Sequence, residues 1–359
     1  MWNFVFCKFQ LCGINNDNYS KKLSLSENKK IMAFTAFRGM KPFPQLMFSV
    51  FIIVVGFLFF LVLSLIVAVP VFGIDSMLNI PNANDVSNPE NIQVLKYFQV
   101  VQSLGLFIVP PLVLGWLYMG NISKYLFLNS TTTLSSVLIV LILMFVATPA
   151  INLTGELNAN MQLPDWLGGV ERWMKQTEEN AARLTEAFLN VKTTAGLLFN
   201  IFMVALLPAV GEEFLFRGVI QRSFTRITKK RHWGIWISAL LFSALHMQFY
   251  GFLPRLLLGA LFGYLLVWSG SMWIPVLAHF FNNAFAVISL YLIDNNLMTP
   301  EIESIGSDSG SFYYAFISLA LMVVLLLLFR NQNRGNTISM ESYTETAPGF
   351  ISSEFKSFK

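Results

Sequence analysis

The sequence predicts an all-α, polytopic integral membrane protein of about eight transmembrane helices with a catalytic four-helix core. Three observations carry that expectation. Of 359 residues, 55% are apolar and only 12% charged, where a soluble chain of this length carries about 25% charged residues. Several apolar runs approach or exceed the ~20 residues that a membrane-spanning helix needs. Lysine and arginine gather at alternate connections between those runs, the asymmetry that sets orientation in a bilayer. With Phe present 35 times and a mean hydropathy of +0.59, few positions are left to face water. A soluble enzyme, a disordered chain and a nucleic-acid binder are poor fits, and the partners implied are the lipid bilayer and whatever the membrane carries.

In chain order, residues 1–45 form a polar N-terminal segment containing Lys8, Lys21, Lys22, Lys29, Lys30, Arg38 and Lys41, and both cysteines, Cys7 and Cys12. Two cysteines suggest neither a disulfide scaffold nor a zinc site. Met32 is an alternative start. Residues 46–330 form the transmembrane domain, with spans expected at 46–72, 97–119, 134–153, 194–211, 233–247, 252–269, 272–292 and 312–329. The first apolar run is too long and begins too late for a cleaved signal peptide. Lys124 lies between spans two and three, Arg217, Arg222, Arg226, Lys229, Lys230 and Arg231 follow span four, and Arg330, Arg334, Lys356 and Lys359 occupy the tail. The connections at 74–96 and 293–311 hold one, Lys96, between them. Both termini are therefore expected in the cytoplasm, with the chain in the plasma (cytoplasmic) membrane.

The large extramembrane segment, 154–193, falls on the far side. Trp166, Val170, Trp173, Thr177, Ala181, Leu184 and Phe188 recur at three- and four-residue spacing, one apolar helical face. Glu171, Lys175, Glu178, Glu179, Arg183 and Glu186 mark the opposite face. Such a helix lies in the membrane interface or covers the bundle. Residues 331–359 read as a loose cytoplasmic tail.

Ionisable groups inside spans cost roughly 2.5–3.5 kcal/mol on insertion scales and mark function. Two of the three histidines, His246 and His279, sit in apolar runs, and the pair Glu212-Glu213 closes the fourth. His232, beside the basic run, reads as an ordinary interfacial residue. On a helix, Phe242 and His246, His279 and Asn283, and Glu213 and Arg217 are i,i+4 neighbours that share a face. An ion pair between Glu213 and Arg217 would leave Glu212 free to point elsewhere. Pro208 cannot donate to the carbonyl of Val204 and should bend the helix just before the acids. Gly259 and Gly263 make a small-xxx-small face for close helix approach, while Asn200 and Asn282 read as structural. A carboxylate or imidazole can deprotonate water, and imidazole and carboxamide N–H groups can hold an oxyanion. With no GxSxG sequence and no intramembrane cysteine, attack by activated water is simpler than a covalent intermediate.

Glu212-Glu213-x-x-x-Arg217, Phe242-x-x-x-His246 and His279-x-x-x-Asn283, in that order, resemble the three motifs of the CAAX-protease and bacteriocin-processing (CPBP, or Abi) family of intramembrane proteases. The resemblance places a CPBP-like core at 194–292. It implies that Glu212 and His246 activate the attacking water, that His279 and Asn283 form the oxyanion site, and that Glu213, Arg217 and Phe242 support them. It implies a membrane-associated protein or peptide substrate, of prenylated CAAX or bacteriocin type, and no cofactor. Zinc on the Glu/His/His set is the alternative; asparagine is a poor zinc ligand but a good oxyanion donor, and there is no HExxH. The cavity is expected to open toward the cytoplasm. His246 lies ~20 Å along its helix from Trp233, deeper than Glu212 and His279 in the expected spans, so a strongly tilted fifth helix or one that begins below the membrane is needed. A proton-coupled transporter and a non-catalytic immunity or scaffold protein are the rival readings of the same residues.

Overall fold

A computed structural model describes residues 37–74, 86, 88–308 and 310–344. Cys7, Cys12, Met32, the lysines at 8–30 and the end of the tail at 345–359 lie outside them. The helices are α1 (Pro42–Phe72), α2 (Pro89–Met119), α3 (Leu134–Ala159), α4 (Gly168–Leu189) and α5 (Thr194–Thr228). They continue with α6 (Arg231–Leu245), α7 (Phe252–Ser269), α8 (Trp273–Asp294), α9 (Phe312–Gln332) and α10 (Met340–Thr344). No strand occurs among the described residues.

Among the described residues, seven helices are long and apolar enough to cross a membrane, against the eight expected. The fifth expected span exists as α6, 15 residues long, about 22 Å at 1.5 Å per residue. It still runs from one end of the bundle to the other. At one end, Lys229 in the left-handed region breaks α5 from α6. At the other, the turn after α6 meets α4, where Phe249 packs on Trp173 at 5.1 Å and Tyr250 N–H donates to Glu178 at 3.2 Å. The two ends are called here the basic end and the α4 end.

Helix boundaries follow local chemistry. Asn88 accepts from the Glu90 N–H and Pro89 sits at the first helical position, so α2 starts earlier than 97. Lys96, expected in a connection, is therefore on the helix, donating to Asn200 Oδ1 at 3.1 Å. This contact bears out the structural reading of Asn200. Thr133 and Thr193 cap α3 and α5 through Ser136 and Gly196. α3 continues past 153 to Ala159, where the Asn158 side chain bonds Phe249 O and Leu253 N–H. α1 and α9 turn large apolar side chains outward, Phe51 at 59%, Phe59 at 61% and Leu327 at 60% exposure, as suits lipid but not water.

The largest correction concerns α5. The expected end at residue 211 is passed, and the helix runs on to Thr228. Arg217 and Arg222, expected in a cytoplasmic connection, are buried on it, and Arg226 bonds Gln45 of α1. Arg222 is held among the rings of Tyr125, Phe127 and Tyr343 at 4.6–5.8 Å and donates to the carbonyls of Tyr125 and Ser342. Residues 331–344 accordingly are not a loose tail. Ile338 N–H donates to Val267 O at 2.9 Å, and burial pushes the phenol of Tyr343 up to about 12.

The outer helix forms as read, but its contact face is rotated. Met174, Phe188 and Leu189 are buried, whereas Trp166 is 80% and Trp173 48% exposed. Glu178, assigned to the polar face, turns inward to the Tyr250 N–H.

α5 and α6 pack at Gly234, where an added Cβ would lie 2.9 Å from Gln221 O and from Thr225 N. Those are backbone atoms that cannot swing aside. We expect Gly234→Ala to cost about 1–3 kcal/mol and to separate His246 from Glu212, read as a lower thermal midpoint in detergent. An unchanged midpoint would mean the two helices are not closely seated.

Candidate active site

Glu212 and Glu213 lie mid-way along α5 between two π-helical turns, Ile201–Leu206 and Phe214–Gln221. Such wide turns recur at functional sites. The first precedes Pro208, which leaves the Val204 carbonyl without its usual donor. Asn283 of α8 supplies one, its Nδ2 donating to Val204 O at 3.3 Å. Asn282 Nδ2 in turn donates to Asn283 Oδ1 at 3.2 Å, fixing that amide. The freed carbonyl thus ties α5 to α8 beside the acids.

Glu213 is fully buried. Its Oε1 accepts from His279 Nδ1 at 2.9 Å and forms an ion pair with Arg217 Nη1, also at 2.9 Å. Arg217 spends its other arm, Nη2, on Gly259 O of α7 at 3.1 Å. Its guanidinium lies 4.8 Å from the Phe242 ring and 5.4 Å from Phe262. The expected ion pair is therefore present, not as a cap on a helix end but as the hub joining α5, α7 and α8. The Gly259 and Gly263 face packs as read: an added Cβ would sit 3.2 Å from Ala239 and 2.9 Å from Ile235 of α6.

Glu212 points at both imidazoles. Its Oε2 is 4.0 Å from His246 Nε2 and 3.9 Å from His279 Nε2. Both separations exceed hydrogen-bond length, and this buried oxygen has no hydrogen-bond partner among the described residues. His246 Nδ1 lies 2.7 Å from Phe242 O. A carbonyl only accepts, so Nδ1 carries the proton and, in the neutral ring, Nε2 presents its lone pair toward Glu212. His279 Nδ1 likewise donates to the Glu213 carboxylate. Phe242 packs edge-on against both rings at 4.8 and 6.0 Å, and Phe262 stacks on His279 at 5.2 Å. Phe262 was missed by the sequence reading, because a phenylalanine in an apolar helix carries no signal of its own.

The depth problem disappears with the longer α5. Glu212 lies about 16 residues, ~24 Å, from Thr228, and His246 about 15 residues, ~22 Å, from Arg231. His246, 30% exposed, follows the last residue of α6 at the end away from Lys229 and Lys230, beside the turn that α4 touches.

Among the described residues, no group of three or more His, Cys, Asp and Glu side chains is disposed to hold a metal ion.

Fold and site together define a class, an integral membrane helical bundle with a carboxylate–imidazole centre inside it. Within it, residues 194–285 match the family described as type II CAAX prenyl endopeptidase Rce1-like. The matched stretch, less than half of the chain, contains Glu212, Glu213, Arg217, His246, His279 and Asn283. The uncharacterized protein YpbD of Bacillus subtilis (strain 168) is 34% identical over 89 residues, which cover 24% of this chain and 42% of that protein. The chain thus matches less than half of the length of this relative. No solved structure matches.

Proposed function

We propose that the protein is an intramembrane endopeptidase in which Glu212 and His246 activate a water molecule, without a metal. The observation that supports this most is the placement of one unpartnered carboxylate oxygen at 3.9–4.0 Å from two imidazole nitrogens, the span across which a single water bridges polar groups. Water held there gives a proton to Glu212 or His246 while its oxygen adds to the scissile carbonyl. The carbonyl oxygen takes up the negative charge. In the imidazolium form, His279 donates to it from Nε2, with Nδ1 kept on Glu213. The second N–H of Asn283 is the other donor, the first being engaged by Val204. Collapse of the intermediate breaks the C–N bond, and the stored proton leaves on the amine.

Substrates on this reading are membrane-associated proteins or peptides, of prenylated CAAX or bacteriocin type. The bond to be cut approaches from the α4 end. If the basic end lies in the cytoplasm of a plasma membrane, as its lysines and arginines favour, the scissile bond is presented from the opposite side.

The oxyanion assignment is tested with His279→Ala and Asn283→Ala on a membrane peptide substrate. Loss of either donor should slow cleavage by about 10²–10³. Asn283→Ala should also lower stability by about 1–3 kcal/mol, because it strands a buried carbonyl. Chelator-dialysed wild-type protein, run beside them, should keep its rate. Full activity in both variants, or loss on chelation that zinc restores, would defeat this mechanism.

A further inference from the structure

At the basic end, away from the catalytic centre, α6, α7 and α9 leave between them a cavity of about 480 Å³. Arg231 from the start of α6, Arg330 from the last turn of α9 and Arg334 just beyond it all line this space. No aspartate or glutamate lines it. Among the described residues, none of the three arginines lies within ion-pair reach of a carboxylate. Two of them are held in place nonetheless. Arg231 Nη1 donates to Ile338 O at 2.8 Å, and the Arg330 guanidinium lies 5.9 Å from the Trp268 ring.

The rest of the wall is of a different kind. Trp268 and Leu327 give it an apolar side, and Tyr264 places a hydroxyl on it, 2.8 Å from His232 Nδ1. Arginines above an apolar wall, with a tryptophan and a tyrosine at the level where helices leave the bilayer, mark headgroup depth. Three like charges converging on one space repel one another unless an anion joins them. Guanidinium forks match phosphate oxygens in shape as well as charge.

We propose that this cavity binds the phosphate group of an anionic phospholipid, with an acyl chain lying along Leu327 and Trp268. Basic pockets between transmembrane helices hold headgroups in this way. Free phosphate offers the same anion, but it would leave the apolar wall unused, and the cavity sits where lipid is at high local concentration.

The test uses the purified full chain in neutral detergent, with binding of phosphatidylglycerol, of phosphatidylcholine with the same acyl chains, and of inorganic phosphate measured separately. Phosphatidylglycerol should bind at least about tenfold more tightly than phosphatidylcholine. Arg330→Gln and Arg334→Gln should each weaken it by roughly fivefold. Millimolar inorganic phosphate should fail to displace it. Should Arg330→Gln not fold, Arg334→Gln, beyond the end of α9, carries the comparison. Equal binding of the two lipids, or variants that bind phosphatidylglycerol like the wild type, would overturn the proposal. Displacement by inorganic phosphate would overturn it too, by showing a site for free anions.

Discussion

Glu212→Ala is expected to slow peptide cleavage by about 10²–10⁴-fold, the contribution of a positioned general base, while leaving the protein folded and in the membrane. The second half of that expectation is the unusual one, since a carboxylate inside a helical bundle is normally tied into its structure. Here the Glu212 oxygen that faces the imidazoles makes no hydrogen bond among the described residues. The Nε2 atoms of His279 and His246 stand at 3.9 and 4.0 Å from it. Removing the side chain breaks no hydrogen bond of this oxygen among the described residues, although it takes a negative charge from near Arg217 and Arg255. His246→Ala should behave similarly, because its Nδ1 bond is to a carbonyl of its own helix. A thermal midpoint near wild type together with lost turnover would agree with these roles. Wild-type turnover in Glu212→Ala would refute them.

At the Glu213–Arg217 pair the opposite outcome is expected. Arg217→Ala should destabilise the protein by about 3–5 kcal/mol, the cost of breaking a buried charge pair from one side. The Glu213 carboxylate, 0% exposed, would keep only His279, and the Gly259 carbonyl would lose its donor. Arg217→Lys should not rescue it fully, because a single ammonium cannot reach Glu213 and Gly259 in the paired geometry of the fork. Replacing both partners by apolar residues, as in Glu213→Leu with Arg217→Met, should recover much of the stability and none of the activity, since His279 would lose the carboxylate on its Nδ1. The measurement is thermal unfolding in detergent beside the cleavage rate. A single Arg217→Ala variant that melts with the wild type would show that the pair is not the hub described above.

The contrast between two adjacent glutamates was partly legible in the sequence. The i,i+4 spacing of Glu213 and Arg217 announced the pair, and the intramembrane positions of His246 and His279 announced the site, because polar groups in apolar runs demand a reason. Pro208 announced a free carbonyl at Val204. That Asn283 would take it was not legible, since it depends on the wide turn at Ile201–Leu206 and on how α8 leans against it. The reach of α5 to Thr228 was hidden for a related reason. Arg217 and Arg222 look hydrophilic to any windowed reading, yet aromatic rings and backbone carbonyls bury both. The same rings hold Tyr343, which is why a Ser/Thr-rich segment taken for a loose tail is docked as far as residue 344. The depths of Glu212 and His246 looked mismatched because the fourth span was ended at residue 211, short of Thr228.

The claim on which all of this depends is that three separate stretches of chain assemble one water-activating centre that cuts peptide bonds. Its most direct test compares peptide termini in membranes carrying the wild-type protein with those carrying Glu212→Ala at equal abundance. New termini from membrane-associated proteins should be present with the wild type and missing with the variant. Identical sets of termini would contradict the proteolytic account and return the site to the transporter or scaffold readings.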